Sequence, residues 1–335
     1  MKAFAAKGNK ISTLSAIETE RPHLNAHDLL INVEAVSVNP VDTKVRQSLS
    51  ELTEPVILGY DGYGTVVERG SKAHLFAIGD KVFWAGDVTR SGSNAEFQAV
   101  DERIVGFAPK KISKAKAVAM PLTSLAAYDL LFEKLAIDPT GADKNKTLLI
   151  INGAGGVGSV ATQLAKKIAK LHVIASASTP EAIAWVKKMG ADEVVNHHGS
   201  LVDDVRHLGH HHVDYILILN AVNQHIAAVT ELIAPQGKIA NIIEPAQALN
   251  LDPLAHKSAS FSFEWMFTKA VSQTPDIESQ HHILNQIAQW LDSGKITSTM
   301  TQNLGTLTEK NLQNAHEMLE NGHTIGKIVL ITDEK

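Results

Sequence analysis

The chain has 335 residues and not one cysteine. That absence excludes a disulfide framework, a thiolate nucleophile, an iron–sulfur cluster and every zinc site built on sulfur ligands. An excess of positive charge is also missing: 31 Lys and Arg stand against 36 Asp and Glu, a formal charge of −5. No long-range attraction to nucleic acid or to an anionic membrane follows from such a balance, so the expected partners are small molecules. No stretch approaches the ~20 apolar residues of a membrane span. The opening Met1-Lys2-Ala3-Phe4-Ala5-Ala6-Lys7-Gly8 lacks the apolar core of a secretory signal. A cytoplasmic, water-soluble protein is expected. Internal repeats and low-complexity linkers are absent as well.

Hydrophobic residues make up 44% and charged residues 20%, the ordinary balance of a globular chain, and the length suits two domains. Up to about residue 120 the sequence reads as short strands cut by turns, at 29–36, 64–68 and 81–84, which predicts a mostly β domain. From about residue 123 helical stretches alternate with short apolar strands at 147–152, 171–176, 194–196, 213–219 and 237–243. That alternation is the pattern of a parallel sheet wrapped by helices. A helix over 276–293 and a strand at 327–331 follow.

The strand candidate Thr147-Leu148-Leu149-Ile150-Ile151-Asn152 runs into Gly153-Ala154-Gly155-Gly156-Val157-Gly158. A helix follows, with Val157, Val160, Ala161, Leu164, Ala165 and Ile168 on one face. Strand, glycine turn and helix together point to a dinucleotide site: Gly153, Gly155 and Gly158 let the backbone approach a pyrophosphate, and Gly156 and Val157 offer free amides. At the end of the next strand, where an NAD site usually places an acid, stand Ser176, Ser178 and Thr179, followed by Pro180. Hydroxyls before a helix start favour the 2′-phosphate of NADPH. Ser178 or Thr179 also suits the simpler task of capping that helix.

With these features come Val38-Asn39-Pro40-Val41-Asp42, Gly59-Tyr60-Asp61-Gly62-Tyr63-Gly64, Ile78-Gly79-Asp80-Lys81-Val82 and Gly190-Ala191-Asp192. In order and spacing the chain resembles the medium-chain dehydrogenase/reductase superfamily, in its zinc-independent, quinone oxidoreductase-like branch. The resemblance implies an α/β protein of two domains: a GroES-like β-barrel catalytic domain of residues 1–122 and 265–335, and a doubly wound Rossmann domain of residues 123–264. A substrate cleft would lie between them and a homodimer would be the assembly.

The resemblance also implies site residues. Gly59-Tyr60-Asp61 stands where zinc enzymes of this superfamily have Gly-His-Glu, so Tyr60 would face the cleft as a proton donor, or simply pack there. Asn39 would line the nicotinamide and donate to a substrate carbonyl, or serve as the turn residue before Pro40. Asp42 and Asp61 read as structural rather than catalytic residues, fixing loops or pairing with Lys44 or Arg46. Cofactor contacts would extend to His197, Asn220 and Ile243, and in the aromatic stretch of residues 260–267, where core packing is the default, Phe263 and Phe267 would wall an apolar pocket. Without zinc as Lewis acid an alkoxide loses its main support. The expected activity is therefore hydride transfer from NADPH to a quinone or an activated C=C of an enone or enal. A 2-enoyl thioester reductase, or a non-catalytic NADPH-binding sensor or structural protein, are the alternatives. His210-His211-His212, with His197, His198 and His207 nearby, reads as a solvated loop that takes up metal only adventitiously, since three adjacent side chains cannot face one ion. No metal site is expected.

Overall fold

The computed structural model describes residues 1–50 and 54–332. Between Met1 and Leu125 its strands are β1 (Lys2–Ala6), β2 (Leu14–Glu18), β3 (Asp28–Val38), β4 (Val56–Ile57), β5 (Asp61–Arg69), β6 (Lys81–Trp84), β7 (Phe97–Asp101) and β8 (Val105–Phe107). The middle of the chain supplies β9 (Thr147–Ile151), β10 (His172–Ser176), β11 (Glu193–Val195), β12 (Val213–Ile218), β13 (Ile233–Asn241) and β14 (Ser260–Phe263). β15 (Met300–Thr306) and β16 (Lys327–Ile331) close it. Two compact units result, one of Met1–Leu125 with Phe267–Lys335 and one of Ala126–Met266.

The first unit is built from both ends of the chain. β3 is its hub, antiparallel to β5, to β7 and, through Ala35–Val38, to β16. A smaller sheet of order β2-β1-β4 accompanies it. Leu29, Ile31, Val33, Val36, Val82, Trp84, Ile328 and Leu330 form much of the buried core. Each such side chain contributes roughly 1.5–3 kcal/mol through removal of apolar surface from water. The helix Pro40–Ser48 starts where Asp42 reaches back to accept the Asn39 N–H at 2.7 Å, with Pro40 at its first position.

The second unit holds one parallel sheet of order β11-β10-β9-β12-β13-β14. Its strands lie within two residues of the expected positions, apart from β13, which begins earlier, and β14, which the pattern did not reveal. Leu149, Ile151, Ile174, Ile216 and Ile218 pack with helix residues such as Val222 and Val229. The helix Gly156–Gln163 passes into a wider turn over Leu164–Ile168 and still buries Val160, Ala161, Leu164, Ala165 and Ile168. Among the described residues no helix is long and apolar enough to cross a membrane.

Candidate functional site

In the second unit β9 is followed by Asn152, whose φ of 66° turns the chain into the glycine segment. Ser176, at the end of β10, fixes that turn twice: its Oγ accepts the Asn152 N–H at 2.8 Å and its carbonyl accepts the Gly153 N–H at 3.0 Å. A Cβ on Gly158 would lie 2.5 Å from the Asn152 carbonyl oxygen, and one on Gly153 would lie 2.8 Å from the Ala175 Cβ. Only glycine lets the first helical turn close onto the strand end in this way. Gly155 caps the helix and Gly156 and Val157 open it, so their amides face outward as a cradle for an anionic group. The residues present therefore fit a dinucleotide pyrophosphate.

The candidates for the 2′-phosphate separate. Ser176 is fully buried, and its hydroxyl also meets His197 Nδ1 at 3.1 Å. It holds neighbouring protein groups in place. Thr179 caps the helix Pro180–Met189 by accepting the Ala182 N–H at 3.2 Å. Ser178, half-buried, makes no hydrogen bond among the described residues. Burial first, then the neighbouring His198 and His225, push the His197 imidazole below its ordinary value. It therefore offers a neutral ring at neutral pH. Asn220 is exposed, and Ile243 is held in a tight loop by Asn241, whose amide donates to the Ile243 carbonyl at 2.6 Å and accepts its N–H at 3.1 Å.

In the first unit Tyr60 sits immediately before β5, just after Gly59, whose φ of 106° is open to glycine. Ser93 pins both flanks, its N–H donating to the Gly59 carbonyl and its hydroxyl to the Asp61 carbonyl, each at 2.8 Å. The Phe267 ring meets Tyr60 edge-on, with centroids 5.3 Å apart at 71°. The Tyr60 side chain is buried, yet its hydroxyl makes no hydrogen bond among the described residues. Burial, with Asp42 and Asp87 nearby, raises its pKa well above the ordinary phenol value. The hydroxyl thus stays protonated and able to donate.

Beneath Tyr60 lies a buried polar network. Lys327 Nζ donates to Asp61 Oδ2 at 2.9 Å and also reaches Asn39 Oδ1. Asn39 Nδ2 donates to Asp61 Oδ2 at 2.8 Å and to the Ser37 carbonyl at 3.3 Å. Both amide protons of Asn39 are thereby engaged inside the unit, as suits the turn residue before Pro40. Asp61 Oδ1 accepts the Leu122 N–H and Asp42 Oδ1 the Gly59 N–H, each at 2.8 Å. Asp42 and Asp61 do fix loops, but not through Lys44 or Arg46. Lys44 is exposed, and Arg46 pairs with Glu320. Lys327 carries no local signal of this role, because its partners come from the opposite end of the sequence.

Phe263 and Phe267 fall in different units. Phe267 is the ring on Tyr60, whereas Phe263 lies on the edge strand β14 at 54% exposure, against Phe261 at 5.2 Å. The histidine run also divides. His211 and His212 are exposed, while His210 turns inward onto Glu193 and His172.

The alcohol dehydrogenase GroES-like domain family matches residues 25–126, and the zinc-binding dehydrogenase family matches residues 189–330. A zinc-type alcohol dehydrogenase-like protein of Staphylococcus aureus (strain MSSA476) is 42% identical over 315 residues, 93% of each chain. The chain belongs to the medium-chain dehydrogenase/reductase superfamily. A crystal structure of a Rhizobium etli CFN 42 protein, named as a zinc-dependent alcohol dehydrogenase, matches with a TM-score of 0.94 at 39% identity. That match covers 100% of this chain and 99% of the other. A chloroplastic NADPH-dependent alkenal/one oxidoreductase of Arabidopsis thaliana is 27% identical over 320 residues, 92% of this chain and 73% of its own. The superfamily accounts for both units, a GroES-like domain and a Rossmann domain of nicotinamide-cofactor type, and makes the chain an oxidoreductase.

Proposed function

We propose that this protein is a zinc-independent, NADPH-dependent reductase of quinones or of the activated C=C of enones and enals, acting in the cytoplasm. The observation that carries the reading is Tyr60: a buried, protonated phenol without a hydrogen-bond partner among the described residues, at the position of a zinc-ligand histidine. Sulfur ligands are excluded by the sequence, and no group of three His, Asp or Glu side chains converges in the first unit among the described residues. Reduction of a conjugated carbonyl compound spreads the developing negative charge, so one well-placed donor suffices where an alkoxide would require a metal.

The bound nicotinamide would supply the hydride. The chain's own part is to hold the pyrophosphate at the amides of Gly156 and Val157 and to place the Tyr60 proton toward the oxygen that gains charge. Asp42, Asp61 and Lys327 act as positioning residues, fixing the Gly59–Asp61 backbone. Ser178, and the absence of an acid at the end of β10 ahead of Glu181, support NADPH over NADH. The Arabidopsis relative's NADPH-dependent action on alkenals and alkenones supports the same substrate class.

A homodimer is part of the proposal. β14 pairs with β13 on one side and with no strand on the other among the described residues, and Phe263 and Trp265 are 54% and 52% exposed. An apolar, open sheet edge of this kind suits a second copy.

The test is an assay with NADPH and either a simple quinone or cyclohexenone, before and after exhaustive dialysis against EDTA. Equal turnover in both is expected. Loss of activity on chelation, or zinc-restored alcohol oxidation in place of enone reduction, would overturn the assignment.

A further inference from the structure

His172, Glu193 and His210 come from three separate segments of the second unit. His172 opens β10, Glu193 opens β11, and His210 lies in the turn before β12. Because the sheet is parallel, the starts of β10 and β11 lie at the end opposite the glycine turn, which follows the end of β9. The Nε2 atoms of His172 and His210 each stand 2.8 Å from the same oxygen, Glu193 Oε2. The two rings lie 5.2 Å apart at 33°, directing their edges onto that carboxylate, and all three ligand atoms fall within 4.8 Å of one another.

We propose that this triad is a binding site for a divalent transition metal of the zinc class, separate from the reductase chemistry. Two imidazoles and a carboxylate suit zinc and its neighbours, whereas magnesium and calcium prefer all-oxygen sites. Zinc bonds to such ligands measure about 2.0–2.1 Å, which sets tetrahedral neighbours roughly 3.3 Å apart. The triad reaches that spacing by opening its two hydrogen bonds by about 0.5 Å. A second layer is also in place. His172 Nδ1 faces Asp192 Oδ2 at 3.7 Å, and Asp192 is itself held by Lys166 Nζ at 2.6 Å and the Val173 N–H at 2.9 Å. A carboxylate behind a ligating histidine favours the tautomer that frees Nε2 for the metal. The three side chains are half-buried, so an ion can enter from solvent and keep water at its remaining position.

Bound metal would tie β10, β11 and the turn at His210 together, a clip at the far end of the sheet. Since the unfolded chain lacks this geometry, the ion stabilises the folded state by mass action.

The experiment is calorimetric titration of the metal-stripped full-length protein with zinc chloride, alongside thermal unfolding with and without zinc. One saturating zinc per chain and a zinc-dependent rise in Tm are expected. Loss of an outer partner typically costs about 10–100-fold in metal affinity. Removal of a direct ligand in His172→Ala, His210→Ala or Glu193→Gln should therefore weaken zinc by at least ~100-fold. Unfolding in the absence of metal checks that each variant is folded. A variant replacing both His211 and His212 by Ala should bind as the parent does. Zinc binding that survives the His172→Ala, His210→Ala double variant unchanged, that disappears with His211 and His212, or that never saturates, would each overturn the proposal.

Discussion

The hydroxyl of Ser176 accepts the backbone N–H of Asn152 at 2.8 Å, so the end of β10 sets the conformation from which the glycine turn departs. A side chain used in this way acts on the whole dinucleotide rather than on its 2′-phosphate. Ser176→Ala should weaken NADPH and NADH alike, by roughly 2–10-fold, the equivalent of one hydrogen bond of about 0.5–1.5 kcal/mol. Ser178→Asp, by contrast, places a carboxylate where a 2′-phosphate would approach, and should shift the kcat/KM preference toward NADH. Steady-state kinetics with both cofactors separates the two effects. A selective loss of NADPH in Ser176→Ala would show that this buried hydroxyl reaches the phosphate after all.

Tyr60→Phe keeps the ring against Phe267 and removes only the donor. It should lower kcat/KM for an enone by roughly 10²–10³-fold, the scale of one lost oxyanion donor. Because the hydroxyl has no protein partner among the described residues, Tm should change little. Unchanged kinetics would assign Tyr60 to packing.

Asp42 links the site to pH. Burial outweighs the N–H groups of Asn39 and Gly59 and the charge of Lys327, and carries its carboxyl up to about 7. The folded chain thus retains a proton that an unfolded aspartate loses near pH ~4. Retained protons favour the folded state on the acidic side. The contribution is therefore complete below about pH 4, declines as pH rises through the window, and is lost above about 7, with a slope of at most ~1.4 kcal/mol per pH unit. Urea unfolding across this range should show a decline in stability that Asp42→Asn flattens. An identical slope in the variant would assign the decline to other groups.

Much of this molecule can be read from local pattern. The strand before Gly153 and the helix behind it follow from residue order, because apolar period and glycine spacing act within a few residues. Pro180 at a first helical position and Gly190 past the last are equally local signals, and the helix keeps both. What the pattern conceals depends on distant segments. Ser260–Phe263 looks like aromatic core, and only its pairing with β13 makes it a strand. Lys327 reads as an ordinary charge beside a terminal strand until the fold sets it on Asp61. His172 and Glu193 have no motif between them, and their relation to His210 appears only when two parallel strands and a turn end at the same place. Asn39 shows a different limit: its motif marks the position, but hydrogen bonding decides whether its amide is free.

The pairing of β16 with β3 also orders the protein's birth. Synthesis delivers Ala126–Met266 entire while Lys327–Ile331 is still untranslated, so the parallel sheet can be finished on the ribosome. The sheet around β3 cannot be finished that early, since the strand beside Ala35–Val38 and the cation for Asp61 are made only after the parallel sheet. Until then a nascent chain carries an open strand edge and a carboxylate without its counter-charge. A segment translated before the parallel sheet thus matures after it, and waits exposed in the meantime.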